Sequence, residues 1–173
     1  MVQKLSTQEF EESYYNYKDL LFRIAFTYLK TRENTEDILQ EVFAKLLYES
    51  PEFASEEHKK RWLIRVTVNL CKNEVKQYWN RNCIGIEAAD YEQMHLDRRE
   101  ETLLDEVLAL PEKCKAPMIL YYYEGYHVRE IAEILNCGES AVKMRLKKGR
   151  ELLKLELENG GMDYEIRRIS NIV

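Results

Sequence analysis

The chain of 173 residues has few cysteines and histidines, the side chains that build most redox and zinc centres. Its four cysteines form no CxxC pair, and its three histidines are dispersed. Metal and redox sites need such residues at short spacings, so we expect free thiols, no metal and no cofactor. The sequence also lacks an acid–base pair, an activated nucleophile or a phosphate-binding loop, and we therefore expect no enzymatic activity.

Long apolar runs are missing as well. No stretch approaches the roughly 20 apolar residues that span a membrane, and the first residues lack a basic segment followed by an apolar one. We therefore expect a cytoplasmic protein. Only three prolines interrupt the chain, and 33% of its residues are charged, which favours exposed helices.

The net charge of −5 is unevenly distributed. Residues 1–57 carry 12 acidic and 6 basic side chains, and residues 83–112 carry 9 and 2. By contrast, residues 58–82 carry 7 basic side chains against 1 acidic, and residues 139–154 carry 6 against 2. Two basic islands in an acidic chain suit selective contact with phosphates, although solvated helix faces are the alternative interpretation.

Apolar periodicity predicts three helices in a first small domain, residues 1–82. The segment STQE at Ser6–Glu9 is a capping box that begins the first helix, and Asn34 can cap the second. The third helix should run from about Lys59 to Asn80. Its predicted buried positions are Trp62, Leu63, Val66 and Leu70.

The rest of the chain predicts a second small helical domain. Residues 83–102 combine little periodicity with much acid, which indicates a flexible acidic linker. Residues 103–157 form the predicted domain, in which Pro117 should end or kink a helix. Residues 158–173 form a tail of unknown role. The predicted fold is therefore all-α, with two helical domains joined by the linker.

The segment VREIAEILNCGESAVKMRLKKGRELL predicts a helix-turn-helix in the second domain. Asn136 can adopt the left-handed geometry of its tight turn. The second helix would enter a major groove of DNA, although an ordinary helical hairpin with a basic face is the alternative. The predicted packing positions are Ile131, Ala132, Leu135, Val142, Leu146 and Leu153. The projecting side chains are Lys143, Met144, Arg145, Lys147, Lys148 and Arg150.

Two further helix faces carry patterned polar residues. The third helix mixes cations with aromatic and amide groups, a combination that suits strand-separated nucleic acid. In the second helix, Asp37, Gln40 and Glu41 lie opposite the apolar stripe. The favourable position of acid near a helix N-terminus explains Asp37, but not Gln40 and Glu41. This face therefore predicts docking to a basic partner surface.

Three segments together resemble a bacterial ECF (extracytoplasmic function) sigma factor, the short two-domain class of the sigma-70 family. They are NTEDILQEVFAKL, FASEEHKKRWLIRVTVNLCKNEVKQ and LPEKCKAPMILYYYEGYHVREIAEILNCGESAVKMRLKKGRELL. They occur in family order and span roughly residues 10–155, with only the linker unmatched. The sequence departs from the common pattern at Asn73, where many members have aspartate, and at Ala141, where many have threonine.

The resemblance implies that the chain directs core RNA polymerase to promoters and stabilises strand opening. Asp37, Gln40 and Glu41 would dock on the β′ clamp helices. The −10 element would be held by Phe53, His58, Asn69, Lys72, Asn73 and Lys76, with a flipped base at the loop of residues 53–58. In the −35 reader, Lys143, Met144, Lys147 and Lys148 would face bases, while Arg145 and Arg150 would contact phosphates.

The family also implies the partners. They are core RNA polymerase, through the β′ clamp helices and the β flap, promoter DNA, and an anti-sigma factor, which in the family is often membrane-bound. No small-molecule substrate is expected. Two alternatives remain at this point: a stand-alone helix-turn-helix regulator whose first domain senses a signal or dimerises, and an enzyme with a DNA-binding tail.

Overall fold

The computed structural model describes residues 5–81, 107 and 110–160. Within these ranges the regular structure is helical and contains no strand, so the all-α prediction is confirmed there. The predicted linker at 83–102 and tail residues 161–173 lie outside the described residues. The chain divides into two compact units, Met1–His95 and Leu96–Val173. The helices are α1 (Thr7–Leu29), α2 (Arg32–Glu49), α3 (Glu56–Arg81), α4 (Glu112–Tyr122), α5 (Val128–Leu135) and α6 (Glu139–Gly160).

In the first unit, α1, α2 and α3 each pack against the other two. The predicted capping box begins α1, since Ser6 N–H donates to Glu9 Oε2 at 2.9 Å and Glu9 N–H donates to Ser6 Oγ at 3.2 Å. Apolar side chains from all three helices fill the core, and burial of each contributes about 1.5–3 kcal/mol. The fully buried members include Leu21, Ile24, Val42, Leu46, Leu63 and Ile64.

The second helix is capped by Thr31 and not, as predicted, by Asn34. Helix α1 ends at a left-handed Lys30 (φ 62°), and α2 begins only two residues later, at Arg32. Because the connection is so short, Asn34 already lies in the first turn. Its N–H donates to the Thr31 hydroxyl at 3.4 Å.

The third helix begins at Glu56, three residues before the predicted start at Lys59. Ser55 Oγ accepts a hydrogen bond from His58 N–H at 3.1 Å and thereby caps the helix. The buried stripe is also rotated relative to the prediction. It consists of Leu63, Ile64, Thr67, Val68 and Cys71, whereas Trp62, Val66 and Leu70 are half-exposed. Thr67 is tolerated in the core because its hydroxyl donates to Leu63 O at 2.9 Å.

In the second unit, α4 continues through Pro117 to Tyr122, so the proline does not end the helix. Proline removes one N–H donor and leaves the carbonyl of Lys113 without its helical partner, a cost of about 3 kcal/mol in an exposed helix. Residues 114–120 are all buried, and this packing offsets the loss. None of the described helices combines the length and the apolar content needed to cross a bilayer.

Gly149 allows α6 to lie close to α4. A Cβ atom at this position would stand 2.9 Å from Met118 Sδ and 3.0 Å from Met118 Cγ, and Met118 is itself buried. Glycine in a helix costs about 1 kcal/mol relative to alanine. Here that cost is offset by the close contact between the helices.

We predict that Gly149→Ala destabilises the second unit by about 1 kcal/mol, because overpacking costs about 1–3 kcal/mol and exceeds the gain in helix propensity. In a Met118→Ala background, which removes the clashing atoms, the same change should stabilise by about 1 kcal/mol. Urea unfolding of the full chain, followed by circular dichroism, measures both steps. Stabilisation by Gly149→Ala in the unaltered background would contradict the steric argument.

Candidate nucleic-acid and protein interfaces

The turn between α5 and α6 has the tight geometry of a helix-turn-helix. Asn136 adopts φ 50° and ψ 54°, the predicted left-handed conformation. Cys137 N–H donates to Ala132 O at 3.0 Å and closes the end of α5. Only residues 136–138 separate the two helices. This short connection fixes the direction in which α6 leaves the turn.

The face of α6 that packs against the unit is apolar. Val142, Leu146 and Leu153 are buried, as predicted, and they are joined by Ile134 of α5, which is fully buried. Leu135, a predicted packing position, is half-exposed because it is the last residue of α5, at the edge of the contact. The other predicted packing positions of α5, at 131 and 132, are buried.

The opposite face of α6 projects Lys143, Met144, Lys147 and Lys148, all exposed. Met144 is 70% exposed, although its side chain is apolar. These positions recur one turn apart, so they share one surface on the N-terminal half of the helix. Within the described residues, one ion pair engages these lysines, and it is long: Lys147 Nζ and Glu151 Oε1 lie 3.9 Å apart. The surface is therefore strongly cationic.

Two arginines lie at the borders of this surface and lean against the unit. Arg145 is half-exposed, and its Nη1 donates to Cys137 Sγ at 3.5 Å. Arg150 is also half-exposed, and its Nη1 donates to the Tyr122 hydroxyl at 3.4 Å. These contacts restrict both guanidinium groups, in contrast to the solvent-exposed lysines between them.

On α2, Asp37, Gln40 and Glu41 are exposed and lie opposite the buried stripe, as the sequence predicted. Neighbouring Glu36 pairs with Arg32, with Nε and Oε1 2.6 Å apart, so its charge is partly balanced locally. No ion pair within the described residues engages Asp37 or Glu41. The negative charge of this face is therefore available to a partner.

An apolar groove of about 640 Å³ between α1 and α2 borders the same face, and Gln40 contributes to its lining. Sequence analysis missed it, because its aromatic residues fit the periodicity of a buried stripe. Tyr14 is 40% exposed and Tyr48 is 71% exposed. The ring of Tyr14 packs against Phe43, with centroids 4.9 Å apart.

On α3, Asn69, Asn73 and Lys76 are exposed and Lys72 is half-exposed. Their spacings of three and four place them on one face. Arg65, one turn before Asn69, is exposed on the same face and was missed by sequence analysis, although its spacing of four was a usable signal. The side chains at 78–81 lie outside the described residues.

The loop before α3 carries an aromatic cluster. The ring of Phe53 lies edge-on to His58, with centroids 5.7 Å apart, and to Trp62, with centroids 5.6 Å apart. Ala54 N–H donates to His58 Nδ1 at 3.2 Å. The loop and the first turn of α3 are therefore connected by side-chain contacts in addition to the cap.

A polar network attaches the start of α3 to α1. Lys59 is buried, and its Nζ lies 2.7 Å from Glu56 Oε1 and donates to Ser13 Oγ at 3.2 Å. The Tyr17 hydroxyl donates to Glu56 Oε2 at 3.0 Å. The hydrogen bond from Lys59 lowers the pKa of Glu56. Burial, with a smaller effect from the hydrogen bond to Glu56, raises the pKa of Tyr17 to about 12.

The described part of the chain contains no group of three His, Cys, Asp or Glu side chains arranged to hold a metal ion. Its three cysteines are free thiols. Burial raises the pKa of Cys71 to about 12 and also raises the pKa of Cys114. Both thiols therefore stay protonated and unreactive at neutral pH.

Comparison with known proteins assigns a family to both units. Residues 14–81 match the family model of Sigma-70 region 2, and residues 100–153 match that of Sigma-70, region 4. The ECF RNA polymerase sigma factor SigW of Bacillus subtilis is 27% identical over 160 residues, covering 83% of this chain and 86% of that protein. The ECF RNA polymerase sigma-E factor of Haemophilus influenzae is 26% identical over 145 residues, covering 74% and 77%.

A solved structure shows the same fold. It contains the sigma factor RpoE in complex with the anti-sigma factor NepR, from Bartonella quintana. The sigma factor matches this chain with a TM-score of 0.65 at 19% sequence identity, over 88% of this chain and 98% of that chain.

We predict that Glu56→Gln lowers the free energy of unfolding of the first unit at neutral pH by about 1 kcal/mol, because the buried Lys59 ammonium loses its charged acceptor. The loss should shrink on acidification. The folded-state pKa of Glu56 lies below its unfolded value, so its contribution is present above the unfolded pKa and disappears as pH falls through the folded pKa.

Urea unfolding followed by tryptophan fluorescence measures this effect, since both tryptophans lie in the first unit. Glu57→Gln is the matched control. It removes the same charge from a neighbouring i,i+4 pair whose cation, Arg61, is more exposed than Lys59, and it should change stability by less than about 0.5 kcal/mol. Equal effects of the two substitutions would count against the network.

Proposed function

This chain belongs to the ECF group of the sigma-70 family of RNA polymerase sigma factors, and we propose that α2, α3 and α6 divide its work between polymerase and two promoter elements. As a sigma factor, it directs core RNA polymerase to promoters for transcription initiation. One observation carries the division of roles. Each helix buries an apolar stripe and exposes one patterned polar face, which is acidic on α2 and cationic on α3 and α6.

The proposed polymerase contact is the face of Asp37, Gln40 and Glu41, which would dock on the β′ clamp helices. Its exposure and its unbalanced carboxylates support this role, since a basic partner surface would complement them. The β flap is proposed as the polymerase contact of the second unit.

The proposed −10 contacts follow one face of α3 and the loop before it. Exposed amides at Asn69 and Asn73 suit hydrogen bonding to unpaired base edges, and Lys72 and Lys76 suit the strand backbone. Phe53 and His58 would lie where the separated strand passes the start of the helix. The network around Lys59 supports this assignment by fixing the loop relative to α1.

The proposed −35 contacts are on α6. Lys143, Met144, Lys147 and Lys148 would face bases in the major groove, because they share the exposed surface at the N-terminal half of the helix. Arg145 and Arg150 would hold phosphates at the borders, where their contacts with Cys137 and Tyr122 already restrict them.

The chain would work in the cytoplasm with the polymerase, would carry out no catalysis itself, and would be held inactive by an anti-sigma factor. The anti-sigma factor in the RpoE structure supports that last point by analogy of fold. A stand-alone helix-turn-helix regulator is not favoured. Such a protein would have no need for a first unit that matches Sigma-70 region 2 or for an acidic docking face, and this chain has both.

Transcription in vitro tests the function directly. Core RNA polymerase is supplied with a library of genomic fragments, with and without the full chain, and the 5′ ends of the transcripts are mapped. We expect new start sites that depend on the chain. If no template gives such a start, the assignment fails.

We predict that the double substitution Gln40→Lys, Glu41→Lys reduces binding to core polymerase at least tenfold, because it places like charge against a basic partner surface. A pull-down with purified core, quantified over a titration, measures the loss. The control variant Glu11→Lys, Asn16→Lys makes the same charge change at exposed positions of α1 and should bind normally. Full core binding by the α2 variant would refute the docking face.

We predict that Lys147→Ala together with Lys148→Ala weakens promoter binding by the holoenzyme at least roughly 30-fold and shortens the upstream footprint, since each of the two base contacts contributes about 1–3 kcal/mol. Footprinting over a range of salt concentrations measures both effects. The control Lys113→Ala, Lys154→Ala removes the same charge from exposed positions outside the proposed surface. An unchanged footprint would argue against placing α6 in the groove.

A further inference from the structure

Within the described residues, the apolar groove of about 640 Å³ between α1 and α2 is lined only by these two helices. Aromatic and aliphatic side chains make up most of its lining, including Phe10, Phe22 and Leu47. Two tyrosines of the lining are open to solvent, since Tyr14 is 40% exposed and Tyr48 is 71% exposed. A contiguous apolar surface of this kind marks an interaction site, because its contact with water is unfavourable.

The face that carries the groove is large enough for a weak dimer. Helices α1 and α2 form an antiparallel hairpin, because only residues 30 and 31 connect them. The shorter helix, α2, has 18 residues and is therefore about 27 Å long, and two helices side by side are roughly 20 Å wide. Two such faces in contact would bury about 1,100 Å², which exceeds most crystal contacts and reaches the lower end of specific interfaces.

The charged side chains of the groove lining are of both signs. Lys18 and Asp19 line it from α1, and Arg32 and Glu36 line it from α2. A partner with charge of a single sign would set like charge against part of this lining, whereas a second copy of the chain presents the same two cations and two anions. The charges of the lining therefore favour another copy of the chain as the occupant.

Lys18 is the cation that a second copy can pair. Its Nζ lies 5.9 Å from the ring centroid of Tyr14, and no ion pair in the described part of the chain engages it. The Tyr14 ring packs against Phe43, so the next turn of α1, at Lys18, is level with Gln40, one turn back along the antiparallel α2. When α1 of one copy lies at this level on α2 of the other, Lys18 reaches the acidic face to which Gln40 belongs.

We infer that two copies of this chain associate through the α1–α2 groove, with each α1 lying on the α2 of the other copy. The contact is isologous, so the ion pair between Lys18 and the acidic face occurs twice, and the exposed tyrosines of both grooves are buried. The dimer covers Gln40 and the carboxylates beside it, so it holds the chain in a form that cannot dock on polymerase. This consequence rests on the proposed function, whereas the association itself does not.

Sedimentation velocity of the full chain, at concentrations on both sides of the micromolar range, tests the association. We expect a monomer–dimer equilibrium with a micromolar dissociation constant, as the size of the face implies. Tyr48→Ser should weaken dimerisation at least about fivefold, because each dimer loses two rings from its interface. The control Tyr15→Ser removes a ring of similar exposure, 67%, that does not line the groove, and it should leave the dissociation constant unchanged.

Two charge variants test how the copies are oriented. Lys18→Glu sets acid against the acidic face of the other copy, and Gln40→Lys with Glu41→Lys sets base against Lys18. Each variant alone should dimerise at least about fivefold more weakly, because both contacts become repulsive. In an equimolar mixture, each copy meets opposite charge at both contacts, so mixed dimers should form. Affinity capture of one tagged variant detects them, and circular dichroism confirms that each variant is folded.

Core polymerase separates this inference from the proposed function. Excess core should convert dimers into complexes with one chain per polymerase, since both contacts use the same face of α2. If the chain binds core but stays monomeric at every concentration, or if the two charge variants do not pair when mixed, the inference is wrong and the proposed function stands. Two chains on one polymerase would overturn the covering of the docking face. A chain that dimerises as expected but binds no core would overturn the proposed function alone.

Discussion

The apolar stripe that each helix buries sets the orientation of the helices to which roles are proposed. Most helical stability in a small domain comes from such burial, so the rotation of each helix about its own axis is fixed by its core residues. On α2 the buried side chains at 38, 42 and 46 leave Asp37, Gln40 and Glu41 facing outward. On α6, the buried Val142 and Leu146 leave Lys143, Lys147 and Lys148 facing outward. A one-residue shift of either stripe would turn these exposed side chains by about 100°.

The connections between helices add a second constraint, because they fix the positions of the helix ends. The left-handed Asn136 turns the chain within a connection of three residues, so α6 begins at a defined point against α5. At the start of α3, Ser55 caps the helix while Lys59, Glu56 and Tyr17 attach it to α1. In both places a polar arrangement with satisfied hydrogen bonds defines the geometry, and apolar packing supplies most of the stability.

Much of this arrangement could be predicted from the sequence, for physical reasons that differ between residues. The capping box of α1 and the left-handed Asn136 are local, so the residues themselves dictate them. The rotation of α3 was predicted less well. Its apolar residues occupy two adjacent stripes, and only the packing of α1 and α2 selects the one that contains Ile64, Val68 and Cys71. Trp62 is left half-exposed as a result.

Gly149 and Pro117 illustrate why tertiary contacts overrule local propensity. Both are unfavourable in a helix when taken alone. Gly149 leaves room for the Met118 side chain, which lies where a Cβ atom would stand, and Pro117 is accommodated because its whole helical segment is buried. Neither contact is visible in the sequence, since the partners lie about 30 residues apart or on other helices. The exposed aromatic residues of the α1–α2 groove were missed because their periodicity is that of a buried stripe.

The distribution of charge explains why such a chain should depend on a partner for tight DNA binding. The exposed cationic surface of α6 contains three lysines, and the α3 face adds Arg65, Lys72 and Lys76. Each neutralised phosphate contributes about −0.9 to the slope of log K against log salt for duplex DNA, so either surface alone gives only weak binding at physiological salt. The whole chain is acidic, with a net charge of −5, and this opposes non-specific association. Attachment to the polymerase would bring both surfaces to one DNA molecule together, which converts two weak contacts into one selective complex.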